Sequence, residues 1–189
     1  MGEIEAYIEQ YLASKTKNPD TWILHCSRQS DLTKAVYYAA LAENHLGKRH
    51  PHQYRRSKRT LEDFSQSIIL QADSLEKAVS FDEIYRLVEA SKVYDVGPLT
   101  IYDTAQRIGA FVQVFPDRIY LHSGTKLGAE KILGRRLKRA TMDRAELPKA
   151  FQDPRLTCAD LEDILCHLKE NFFLERTRIS VKNSGRKGC

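Results

Sequence analysis

Four cysteines, Cys26, Cys158, Cys166 and Cys189, form no CxxC pair. That argues against a zinc ribbon or a dithiol redox site, and we read them as free thiols of a cytoplasmic protein. Long apolar runs are missing too. Nothing approaches the ~18 consecutive residues of a membrane helix, so no membrane partner is expected. The opening MGEIEAYIEQYLASK is acidic and amphipathic, not the basic-then-apolar pattern of a secretory signal. Sustained period-2 alternation and internal repeats are likewise lacking, which sets aside sheet and solenoid architectures.

What is present is helical. At 189 residues and 42% hydrophobic, the chain can bury one good core or two small ones. Apolar residues recur at helical spacing over 3–14, 31–46, 60–79, 81–93, 99–113, 126–139 and 158–174. We therefore expect an all-α fold: one helical domain over 1–175 with a core at about 60–133, followed by a basic tail at 176–189. Trp22-Ile23-Leu24 reads as a short strand or core plug, and Arg118 to Leu121 as an extended segment or helical turn.

The net charge of +5 is segregated. Residues 45–59 carry six basic and no acidic side chains, 134–139 add four basic ones, and 176–189 five, between acidic segments. Blocks that converge in space would make a surface for a polyanion. The first block, GKRHPHQYRRSKR, holds the side chains that reach phosphates and stack on bases, and Pro51 keeps them on a loop. Three histidines stand in or beside it, His45, His50 and His52. Their spacing is no recognised zinc pattern, and no carboxylate or cysteine lies close by in the chain. No metal or cofactor is expected. His50 and His52 remain weak candidates for acid–base work on a phosphodiester.

The stretch from Phe81 to Val112 carries the strongest signal. FDEIYRLVEASKVY puts Phe81, Ile84, Tyr85, Leu87 and Val88 at helical spacing. LTIYDTAQRIGAFV does the same with Ile101, Thr104, Ala105, Ile108 and Val112. Asp95-Val96-Gly97-Pro98 between them allows only a tight turn, with Pro98 suited to a first helical position. This arrangement resembles the helix-hairpin-helix motif of DNA-binding proteins, over residues 81–113. The resemblance implies that the backbone from Gly97 through Pro98, Leu99 and Thr100 faces a DNA phosphate, its N–H groups (Pro98 has none) donating, with weak sequence selectivity. The sequence departs from the motif at Asp95, where a glycine is expected.

Helix-hairpin-helix DNA glycosylases, a more distant likeness, hold a catalytic aspartate about twenty residues after the second hairpin glycine. That position is Asp117 here. The nucleophilic lysine of their lyase-active members is replaced by Leu99, and the residues after Asp117 depart from the family pattern. Farther on, Tyr120-Leu121-His122-Ser123-Gly124-Thr125-Lys126-Leu127-Gly128 reads as a second turn, with Ala129 opening a helix. There Gly124, Thr125 and Lys126 could seat another phosphate, although the order is not that of a P-loop. The other reading, which we favour, is a helix start capped by Ser123 or Thr125, with Gly128 allowing close packing.

The expectation is thus a DNA-binding protein. Gly97 to Thr100 supply backbone donors, seconded by Gly124, Thr125 and Lys126. Lys48, Arg49, His52, Tyr54, Arg55, Arg56, Arg135, Arg136 and Lys138 flank them. Two rivals are a nucleic-acid enzyme using Asp117 or the His50/His52 loop, and a protein-interaction module or homo-oligomer.

Overall fold

Side-chain caps set most of the helix starts. Asp20 accepts from the backbone N–H of Trp22 and Ile23, Asp31 from Lys34, Ser57 from Thr60 and Ser80 from Glu83. Thr157 and Asp160 cap reciprocally. Each satisfies a donor that the first helical turn leaves open. The structure is a computed structural model that describes residues 2–170.

Among the described residues the helices are α1 (Glu3–Lys17), α2 (Thr21–Ser27), α3 (Leu32–Leu41), α4 (Lys58–Ile69), α5 (Ala72–Glu76), α6 (Phe81–Ala90), α7 (Pro98–Val112), α8 (Ser123–Leu133) and α9 (Cys158–Leu168). Two short strands, β1 (Ile119–Tyr120) and β2 (Thr141–Met142), pair antiparallel with Ile119 opposite Met142. The fold is all-α apart from that one ribbon. No helix among the described residues is long and apolar enough to cross a membrane.

The chain forms two compact units where the sequence led us to expect one. The first is continuous, Asn18–Pro116; the second joins the described parts of 1–17 and 117–189. The proposed tail at 176–189 lies outside the described residues.

In the continuous unit α7 is the central helix, packed on α2, α3 and α6. Thr100 to Ala105 and Arg107 to Ala110 are all buried. The buried side chains of this unit include Leu41, Leu61, Phe64, Ile68, Phe81 and Ile84, each at most 1% exposed. A helix enclosed on nearly every side buries whatever polar residues it carries, and that is how the site below arises.

In the discontinuous unit one apolar cluster runs through Ile8, Ile119, Leu121, Met142, Phe151, Leu161, Ile164 and Leu165. Here α8 lies directly on α9. A Cβ added at Gly128 would stand 1.8 Å from the Leu165 carbonyl oxygen, so only glycine permits this approach.

Several expectations are corrected. Trp22-Ile23-Leu24 is helical, in α2, because Asp20 caps it. The helix expected over 31–46 stops at Leu41, where the next residue, Ala42, turns left-handed (φ 53°) and closes on Tyr38. The stretch 60–79 divides into α4 and α5. Gly124 and Gly128 do not form a turn: both lie inside α8, which starts at Ser123 rather than at Ala129.

Candidate functional site

The basic loop is fixed by side chains that bond to its backbone. Asn44 accepts from the N–H of Leu46 and Lys48 and donates to Thr21, while the Trp22 indole donates to the Lys48 carbonyl at 2.8 Å. Pro51 then sets a single 3-10 turn, Pro51–Gln53. His50 caps it, its Nδ1 accepting from the His52 backbone N–H. The turn throws His50 and His52 out at one end and drives Gln53, fully buried, into the unit.

All three meet the polar side of α7. His52 Nδ1 lies 2.8 Å from Asp103 Oδ2, and Gln53 Nε2 donates to the same oxygen at 2.9 Å. One turn along α7, Arg107 Nη2 stands 3.9 Å from that carboxylate. Arg107 also donates to the Gln53 side-chain oxygen and to the Ala39 carbonyl. The His50 ring packs edge-on against Trp22 and His52, with centroids 4.7 and 4.5 Å away. Asp103 and Arg107 are buried, whereas the His52 side chain is 45% exposed. The cluster therefore has a fixed inner layer and an outer ring that reaches water.

Its charges are set by that layering. Burial, reinforced by Arg107, holds His50 down at about 4, so the ring is neutral at physiological pH. Burial opposes the charge on Asp103. The His52 hydrogen bond and then Arg107 outweigh it and keep the carboxyl below the ordinary carboxylate value.

The hairpin between α6 and α7 adjoins the same loop. Asp95 takes a left-handed φ of 68° and forms an ion pair with Arg56 Nη1. Gly97 precedes α7, whose first turn has no side-chain cap, and a Cβ added at Gly97 meets nothing within 4 Å. Pro98 is exposed, Leu99 half-buried, and the Thr100 side chain buried. Lys48, Tyr54 and Arg55 are exposed, and Tyr94 is almost bare at 95%. Arg49 donates to the Arg56 carbonyl and brings the two ends of the loop together.

The expected residues of the other unit are arranged differently. Thr125 is fully buried, giving its hydroxyl to Glu162 at 2.5 Å beside His122, whose Nε2 meets the same carboxylate oxygen. It braces α8 on α9 and offers nothing to a phosphate, which corrects that expectation. Gly124 packs against Cys166 and Lys126 is half-buried. Arg135 and Arg139 share Glu146, while Arg136 and Lys138 are exposed. Asp117 is exposed in a turn of this unit, its carbonyl accepting from the Cys158 thiol.

Asp103, Gln53 and Arg107 escaped the sequence reading. The signal for Asp103 and Arg107 was an Asp and an Arg four residues apart inside the largely apolar LTIYDTAQRIGAFV, which implies a buried, partnered pair; Gln53 had none. The carboxylate absent from the neighbourhood of His50 and His52 in the chain comes from α7, more than fifty residues on. Compared with profiles of known protein families, with curated proteins and with solved structures, the chain matches none.

Proposed function

We propose that the unit Asn18–Pro116 binds a nucleic-acid backbone, DNA in the first instance, through the hairpin joining α6 and α7 and the basic loop clasped to it. One observation carries the reading. Asp95, the departure from the helix-hairpin-helix pattern, adopts the left-handed φ that a glycine would supply, and its charge is met by Arg56 from the basic loop. Its carboxylate therefore does not stand unpaired against a phosphate.

The uncapped first turn of α7 offers N–H donors and a partial positive charge to an anion. Lys48 and Arg55 add mobile cations, and Tyr54 and Tyr94 add exposed rings suited to stacking. Contacts of this kind fix a duplex or strand in place without reading its bases. The reading belongs to a protein of the cytoplasm.

Fluorescence anisotropy with labelled double- and single-stranded DNA over a salt series tests it. Affinity should fall with salt at a slope of about −0.9 per phosphate neutralised on a duplex. Gly97→Glu fits without a clash yet sets a carboxylate at the donor site, so it should abolish binding with helicity intact. Affinity flat with salt, or indifferent to Gly97→Glu, rejects the reading.

A further inference from the structure

We propose that His50, His52 and Asp103 form a binding site for a divalent transition-metal ion. One donor atom from each lies within 4.8 Å of the other two, drawn from a 3-10 turn and a buried helix more than fifty residues away in the chain. His52 Nδ1 and Asp103 Oδ2 are 2.8 Å apart. That separation suits a hydrogen bond. It is also close to the ~3 Å edge between neighbouring ligands that each stand ~2.1 Å from one octahedral ion, and within reach of the ~3.4 Å edge of a tetrahedral one. The ion takes the place of the proton that the imidazole and the carboxylate share, and that proton leaves to solvent.

The surroundings are those of a built site. Gln53, fully buried, holds Asp103 by its side-chain amide and is itself held by Arg107, so the carboxylate has a fixed orientation. Trp22 braces the His50 ring, and Asn44 and the Trp22 indole fix the loop that carries both histidines. Such outer partners orient first ligands and tune them. The half-exposed His52 leaves the outer side of the site open to water, so coordination positions remain for exchangeable ligands.

Two imidazoles and one carboxylate favour zinc, manganese, iron or cobalt over calcium or magnesium, which prefer all-oxygen sets. Arg107, 3.9 Å from Asp103, adds positive charge next to the ion. An anionic outer ligand offsets it, and we expect the open positions to take hydroxide or a phosphate oxygen. The metal site itself does not rest on the nucleic-acid reading, and its test contains no nucleic acid.

The experiment is titration of the chelator-stripped full chain with zinc and with manganese by calorimetry, alongside cobalt followed by visible absorbance and by NMR of the histidine rings. The expected result is one ion per chain for at least one of these metals. Affinity should fall in His52→Ala and in Asp103→Asn by at least the roughly 10- to 100-fold that losing an outer partner costs, and be unchanged in His45→Ala. Cobalt should broaden the His50 and His52 ring signals in the unaltered chain, a readout that needs no variant to fold. Absence of saturable binding by all three ions overturns the site. So does binding that survives both substitutions, or cobalt broadening of other histidines alone.

Discussion

At the scale of the residue, Asp103 shows how a fold isolates a charge and then answers it. Its carboxylate receives His52 and Gln53, and Arg107 is buried beside it. Asp103→Ala leaves that guanidinium without its counter-charge. We expect a loss of about 3 kcal/mol in urea denaturation, the usual cost of breaking a buried pair from one side. Asp160 makes a comparable case in the other unit and adds a dependence on pH. It takes hydrogen bonds from Lys15, Tyr11 and Thr157. Burial raises its pKa, but Lys15 and Thr157 more than reverse this, so the folded value lies below the ordinary one. A depressed carboxyl stabilises the fold above its unfolded pKa, and the gain fades as the pH falls through the folded value. Stability should therefore decline below about pH 4, and Asp160→Asn should flatten that decline while lowering stability at neutral pH. Asp163, which burial pushes the other way, opposes the trend without the same set of donors.

At the scale of the element, two glycines separate packing from recognition. In Gly128→Ala the new methyl would meet the Leu165 carbonyl, forcing α8 off α9, and we expect a loss of about 1–3 kcal/mol in thermal or urea unfolding. Gly97→Ala meets nothing and needs no special φ (−103°), so its stability should stay within about 0.5 kcal/mol of the parent. These contrasts also mark what the sequence made legible. The helices of 81–93 and 99–113 were readable because Phe81, Ile84 and Val88, then Ile101, Ala105 and Ile108, repeat at the helical period and are buried as that period requires. At Gly124 and Gly128 the sequence allows both a turn and a helix, because a glycine used for close helix packing looks the same in one dimension, and the structure has the helix, with Gly128 against Leu165. His50 and His52 were singled out, yet their partner was not. The Asp103 contact depends on which face of α7 turns toward the loop, and local spacing does not encode that. Trp22 was misjudged because three apolar residues carry no period, and the Asp20 cap decided the outcome.

At the scale of the whole molecule, the continuous unit has its own buried core and its own central helix. Residues 18–116 expressed alone should give a helical circular dichroism spectrum and a cooperative thermal transition. A non-cooperative melt would mean that this core is not self-sufficient. The other unit has no such continuity, since Ile8 from α1 shares its apolar cluster with Phe151 and Leu161. Its assembly therefore has a timetable. Synthesis of α1 precedes that of β1 by about a hundred residues, roughly 5–20 s at ordinary elongation rates. Through that interval Ile4, Tyr7, Ile8, Tyr11 and Leu12 wait without the surface that covers them, and the intervening unit is completed before that surface is begun. Until the surface beyond Asp117 is made, the apolar stripe of α1 is a place where chaperones that take hold of uncovered apolar segments would compete with folding.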